Sequence, residues 1–155
     1  MSGLPAALDA AGAKRLEAYL HKHIPLVRHM RIHVAACDTT GLTLTAPLAA
    51  NINHQATAFG GSLESLAMLA CWGLVWLLLE SELEFHIVVA ESRMRFLRPV
   101  SATLRAHCAM PDAAARQLFL DTLQRRRKAR IELQARIVQA DVRCAEFDGR
   151  FVAYR

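Results

Sequence analysis

The sequence predicts an α+β fold in which one antiparallel sheet wraps around a long central helix. Three observations predict it. Residues 65–79 carry no charge, and Glu64 and Glu80 bracket them. Elsewhere, apolar residues recur with period two over several stretches, most clearly in ARIELQARIVQ, residues 129–139. The order reads helix, two strands, long helix, then three or four strands. Strands joined by short turns favour antiparallel pairing, and helices segregated from strands favour α+β. A helix that is apolar on nearly every side must be covered on nearly every side, and a curved sheet supplies that cover.

Each element follows from its pattern. Leu16, Tyr19, Leu20 and Ile24 fall at helical spacing, so residues 1–25 hold an N-terminal helix, with its periodic part over 8–24 and Pro25 as its stop. The period then changes to two. Ile32, Val34 and Ala36 share one face of a first strand; Leu42, Leu44, Ala46 and Leu48 share one face of a second. The DTTG turn, residues 38–41, joins them as a hairpin. The central helix is expected over residues 62–82, roughly 30 Å long at 1.5 Å per residue. The strand that follows shows Val88, Ala90, Ser92, Met94 and Phe96 on one face and Glu91, Arg93 and Arg95 on the other. A strand near residues 101–110, a surface helix with Leu118, Phe119 and Leu123 inward, and two closing strands complete the chain.

Bulk properties narrow the function classes. The 155 residues fit one domain spanning 1–155, and a chain of that size buries about 70% of its unfolded surface. The uncharged stretch is shorter than the ~20 apolar residues of a membrane span, so no membrane span is expected. The N-terminus has no basic region ahead of an apolar core and does not read as a signal peptide. Four cysteines, Cys37, Cys71, Cys108 and Cys144, form no CxxC pair and suit reduced thiols in a cytoplasm. With no HExxH motif either, no metal site is expected. The net charge of +5 owes much to Arg125, Arg126, Arg127 and Lys128. Aromatic residues are not interleaved with these, and no recognition-helix signature appears, so nucleic acid is not the expected partner.

The chemistry concentrates in NINHQATAFGG, residues 51–61. Backbone N–H groups at a helix start lack intrahelical partners and sit at the positive end of the macrodipole. Gly60 and Gly61 let a ligand carbonyl approach those donors, which suits an oxyanion developing on that carbonyl. The alternative is a tight turn with no ligand. Asn53 can accept and donate at once, or it can simply shape the loop as an Asx turn. His54 is a candidate base near neutral pH or an exposed loop histidine. Thr57 is a candidate loop-bonding residue. Ser92 is a polar residue on an apolar strand face, lining a pocket or paired in the core.

Together NINHQATAFGGSLESLA, ESRMRFLRPV and AEFDGRFVAY resemble the hot-dog-fold thioesterases of the YiiD C-terminal type, over about residues 24–155. The resemblance implies a homodimer, or a dimer of dimers, with an acyl pocket between subunits. It also implies an acyl thioester substrate carried on coenzyme A or on an acyl carrier protein, with no separate cofactor. Phenylacetyl-CoA-type relatives of that fold read N-x-x-x-x-x-HGG, with an acid about seven residues after the second glycine. Here Asn53, Gly60 and Gly61 match. Phe59 replaces the His, and Met68 stands where the acid is usual. Glu64, one turn earlier on the same helix face, is the replacement acid, able to act as general base on water; a first-turn Glu also simply favours the helix dipole. Ser65 shares that face. Phe59 packs against an acyl chain or the core. Arg98, Arg127 and Lys128 suit the phosphates of coenzyme A or an acidic carrier surface. The reading is therefore hydrolysis of an acyl thioester by water, with Asn53, Gly61 and Glu64 as the catalytic set. The alternatives are a non-hydrolytic acyl-binding module and an acyl-thioester hydratase or dehydratase built on His54 and Glu64.

Overall fold

The computed structural model describes residue 5, residues 7–80 and residues 84–155. Helix α1 spans Ala10–His23. Asp9 caps it by accepting from the Gly12 N–H at 2.8 Å, and Leu16 and Leu20 are buried on its inner face. Pro25 does more than end α1. It opens a second short helix, α2, Pro25–Met30, because a proline ring at the first helical position loses no hydrogen bond. The expected single N-terminal helix is thus two.

Strands β1 (His33–Asp38) and β2 (Gly41–Ala46) form the expected hairpin. Asp38 Oδ1 accepts from both the N–H and the hydroxyl of Thr40 to fix its turn. Gly41 has φ 140°, and a Cβ there would lie 1.9 Å from the Cys108 carbonyl oxygen, so only glycine fits. A single turn of 3₁₀ helix follows at Leu48–Ala50.

Helix α3 spans Gly60–Leu79. It begins two residues earlier than expected and ends at Leu79 with Glu80 as C-cap; the expected residues 81 and 82 lie outside the described residues. By length and composition α3 is apolar enough to cross a bilayer. Here it is the core rod, with Leu63, Leu66, Ala67, Ala70, Cys71, Leu74, Val75 and Leu77 all buried.

Five further elements complete the fold: β3 (His86–Phe96), β4 (Leu104–Ala109), α4 (Ala113–Arg126), then β5 (Lys128–Gln139) and β6 (Val142–Tyr154). The six strands form one antiparallel sheet in the order β1-β2-β4-β5-β6-β3. In β5 the alternation is as read: Ala129, Ile131, Leu133, Ala135 and Ile137 are buried against α3. Strand β4 pairs with β5 only at residues 135–137, and α4 packs beside the rest of β5 with Phe119 and Leu123 buried. Leu118, expected inward, is 69% exposed: the inward stripe of α4 runs through Phe119 and Leu123, four residues apart, and excludes its neighbour.

Both edge strands carry a bulge. In β1 the register slips at Ala35, so Val34 and Cys37 turn inward and Ala36 faces solvent. In β3 it slips at Ala90, so Ile87 is half-buried in the first half while Val88 is exposed, and Met94 is half-buried in the second. One extra residue reverses the phase of a period-two pattern, which is why the single faces expected for these strands are not found.

Candidate active site at the glycine end of α3

The loop before α3 is knit to itself and to two neighbouring segments. Asn51 is buried. Its Nδ2 donates to the carbonyls of Met30 and Pro47, each at 2.9 Å, and its own carbonyl accepts from Phe59 N–H at 2.7 Å. The two carbonyls fix the amide orientation and leave the buried Oδ1 without a hydrogen-bond partner among the described residues. The Ala58 N–H donates to the Val100 carbonyl at 2.7 Å, which fastens the loop to the segment after β3.

Asn53 is spent inside the loop. Its Oδ1 accepts from Gln55 N–H at 2.8 Å and Thr57 N–H at 3.1 Å, and its Nδ2 donates to Thr57 Oγ1 at 2.9 Å and to the Ala58 carbonyl at 3.5 Å. This is an Asx-type turn, and Thr57 is its partner. Ala56, at the turn, has φ 61°. His54 is exposed and forms no hydrogen bond or ion pair among the described residues.

The glycine pair opens α3. Phe59 is the N-cap and offers no side-chain hydrogen bond. Its carbonyl accepts from Ser62 and Leu63 N–H at 2.9 and 3.1 Å. The N–H groups of Gly60 and Gly61 have no acceptor among the described residues. These are the orphan donors of a 20-residue helix, and Gly61 is exposed. Two exposed phenyl rings frame them. A Cβ on Gly61 would fall 2.5 Å from the Phe59 ring, and one on Gly60 would touch the ring of Phe96 at 3.4 Å. Phe96 was not read as a site residue; its place at the end of the strand facing the helix start was hidden by the Ala90 bulge.

The cover over α3 is incomplete along one line. Glu64, Ser65, Met68, Leu69, Trp72 and Trp76 are only half-buried, at helical spacing. This stripe lies beside β3, for Ser92 Oγ donates to Glu64 Oε1 at 3.2 Å near one end and Trp72 Nε1 donates to the Ile87 carbonyl at 3.0 Å near the other. Ser92 is exposed and paired with Glu64 rather than sequestered in the core. Beyond the stripe is a groove of about 710 Å³, lined by Tyr19, Trp72, Trp76, Phe85, His86 and Tyr154 among others. Its size is that of a small-molecule site. The sequence signal for it was the i,i+4 series Met68, Trp72, Trp76.

The basic residues divide between the two ends of the sheet. Arg98 follows β3 beside Phe96 and is exposed. Lys128 is opposite Tyr154, which is opposite His86, and Arg155 N–H bonds the Arg127 carbonyl. Arg127 and Lys128 thus stand at the His86 end of β3, about 33 Å from its Phe96 end at ~3.3 Å per residue. Within one chain they do not meet the glycine pair.

No cysteine is poised as a nucleophile at this site. Burial pushes the Cys71 thiol well up, with neighbouring Cys108 adding to the effect, and burial also raises Cys37. All four cysteines are free.

Comparisons with known proteins agree with this architecture. A protein of unknown function from Chlorobaculum tepidum TLS has 34% sequence identity and TM-score 0.90, over 97% of this chain and 99% of that one. A protein from Shewanella oneidensis described as a putative thioesterase has 33% identity and TM-score 0.83, over 92% of this chain and 97% of that one. The Escherichia coli PaaI protein, from the phenylacetic acid degradation operon, shares the fold at 18% identity and TM-score 0.65, over 99% of this chain and 96% of that one. The fold is the hot-dog fold. The family model described as "Putative thioesterase (yiiD_Cterm)" matches residues 13–155, and the chain belongs to that family.

Proposed function

We propose that the protein hydrolyses an acyl thioester carried on coenzyme A or an acyl carrier protein, using water as the nucleophile. The observation that carries this reading is the start of α3, where the Gly60 and Gly61 N–H groups have no acceptor among the described residues and Gly61 is exposed, one turn ahead of Glu64. The thioester carbonyl oxygen accepts from the Gly61 N–H. Glu64 takes a proton as water adds to the carbonyl carbon. The tetrahedral oxyanion sits on the amides at the positive helix end. Collapse breaks the C–S bond, and the proton held by Glu64 goes to the departing sulfur, leaving a carboxylic acid and a free thiol.

The other residues take supporting roles. Asn53 and Thr57 act as positioning residues that hold the loop so that the amides face out. Phe59, Gly60 and Phe96 form the rim. The acyl chain lies along Ser65 and Met68, with Ser92 orienting Glu64.

The same reading includes a homodimer built on β3. Strand β3 ends the sheet, so one of its edges is unpaired, and Val88, Val89, Phe96 and Leu97 are exposed on it. A long apolar edge is a template for a second strand. Antiparallel pairing about a two-fold axis near Glu91 sets the His86 end of one copy against the Phe96 end of the other. The aromatic groove, Arg127 and Lys128 of one protomer then serve the glycine end of its partner, with Arg98 from that same partner, and the basic groups take the phosphates of coenzyme A or an acidic carrier. A dimer of dimers is compatible with this pairing. The free cysteines suit the cytoplasm as location.

A second reading has one observation in its favour. Met68, not an acid, occupies the middle of the half-buried stripe, as an acyl-binding module without hydrolysis would have it. A panel of acyl-CoA thioesters of varied chain length, monitored for free thiol beside Glu64→Gln, separates the two. Thiol release lost in Glu64→Gln supports hydrolysis; saturable binding with no release supports the module.

A further inference from the structure

We propose that Glu17, His21 and His33 form a binding site for a divalent transition-metal ion of the zinc class, at the opposite edge of the sheet from β3. Glu17 and His21 are four residues apart on α1 and share a face. His33 is the first residue of β1. The ligand atoms these three side chains offer lie within 4.8 Å of one another. Two imidazole nitrogens and one carboxylate oxygen are a donor set that zinc favours, with a fourth position left to water.

The supporting contacts are what separate this cluster from a chance meeting. His21 Nε2 lies 2.8 Å from the Ile32 carbonyl oxygen. A carbonyl only accepts, so Nε2–H donates to it, and Nδ1 is the ring nitrogen left to offer an ion. An outer hydrogen bond from a ring N–H to a backbone carbonyl is the usual orienting device of metal-bound histidine. The carboxylate is held in the same way: Val34 N–H donates to Glu17 Oε2 at 2.8 Å, leaving Oε1 turned to His33 Nδ1 at 3.1 Å. An ion replaces the single proton now between that nitrogen and oxygen. Zinc–ligand bonds of about 2.0–2.2 Å require the donors to lie roughly 3.3 Å apart; Glu17 and His33 already meet this, and adjustment of the Glu17, His21 and His33 side chains closes the remainder from within 4.8 Å. A groove beside Glu17 and His21, between α1 and β1, gives access. Sequence motifs missed the site because its ligands come from two elements: His33 on β1 is twelve residues from His21 and sixteen from Glu17 on α1. The bound ion would pin α1 to the edge strand β1, away from the glycine end of α3.

The test uses the full chain, stripped with EDTA and titrated with Zn²⁺ by calorimetry and with Co²⁺ by visible absorption. The expected result is saturable binding of one ion, Co²⁺ bands of a low-coordinate site, and a thermal midpoint raised by Zn²⁺. His33→Ala and Glu17→Gln should each weaken binding at least about tenfold, the lower bound set by loss of a merely supporting contact. Because His33 is exposed, its replacement leaves the fold intact, which circular dichroism checks. Cys37→Ser and His86→Ala should leave the affinity unchanged. Absence of saturable binding, equal affinity in His33→Ala and Glu17→Gln, or loss of binding in Cys37→Ser overturns the proposal. None of these outcomes bears on thioester hydrolysis.

Discussion

Ser92 Oγ donates to Glu64 Oε1 at 3.2 Å, joining the second turn of α3 to the edge strand β3. The contact ties the Glu64 carboxylate, one turn into α3 from the glycine pair, to the strand that would face a second copy. If Glu64 is the general base, Glu64→Gln should lower kcat by about 10²–10⁴ with little change in KM, the usual range for removing acid–base catalysis. Ser92→Ala should cost less, under tenfold, since one exposed hydrogen bond is lost and the carboxylate remains. Steady-state kinetics on the best acyl-CoA substrate measures both.

The Phe59 ring occupies the space a side chain on Gly61 would need. Gly61→Ala should swing this exposed ring away and narrow access to the amides. Activity should fall about 10²-fold, the scale of losing an oxyanion donor, while the thermal midpoint changes little. A large loss of stability with activity retained in the folded fraction would contradict the assigned role.

Asn51 fixes the base of the loop from within the core. Asn51→Ala leaves the Met30 and Pro47 carbonyls without their donor. Burying unpaired polar groups costs about 1–3 kcal/mol, so the denaturant midpoint should drop accordingly, with the slope unchanged.

Glu146 on β6 is held below the usual carboxylate range, chiefly by the hydrogen bond from Arg143, with the charges of Arg143, Arg95 and Arg136 adding to it. A lowered folded pKa means stability that is present above the unfolded value, near 4.5, and lost as pH falls through the lower folded value. Denaturant midpoints of wild type and Glu146→Gln should therefore differ at pH 7 and converge as pH falls through the lowered folded value. The difference is small, because the pair is exposed to solvent.

The β3 edge offers a test of assembly. Val89→Lys places like charges against each other across the proposed two-fold axis and desolvates them. Light scattering should show the mass of one chain for the variant and two or four for wild type. Activity should fall with the assembly, because the aromatic groove and Lys128 would then be missing from the partner's glycine end.

Much of this was legible in the sequence, for identifiable reasons. The uncharged run from Ser65 to Leu79, shorter than a membrane span, read as a core rod, and the alternation of β5 left no choice of face. The glycine pair announced a helix start with open donors. What escaped was set by tertiary context. The bulges at Ala35 and Ala90 each insert one residue, and nothing in an alanine marks such a slip. The outward turn of Leu118 depends on where α4 meets β5. Arg127 and Lys128 lie far from the glycine end because α4 returns the chain to the opposite end of the sheet. Glu17, His21 and His33 meet only because α1 packs on β1. The i,i+4 series Met68, Trp72 and Trp76 marks one apolar face of α3, but such a face reads as core until the structure shows that it is only half-buried.

The central claim is that the unpaired amides at the start of α3, with Glu64, cleave a thioester. The most direct test is release of free thiol from a panel of acyl-CoA substrates by wild type and Glu64→Gln. The account predicts turnover by wild type for at least one acyl chain and a loss of about a hundredfold or more in Glu64→Gln. Equal thiol release by both proteins, or none by wild type across the panel, would contradict it.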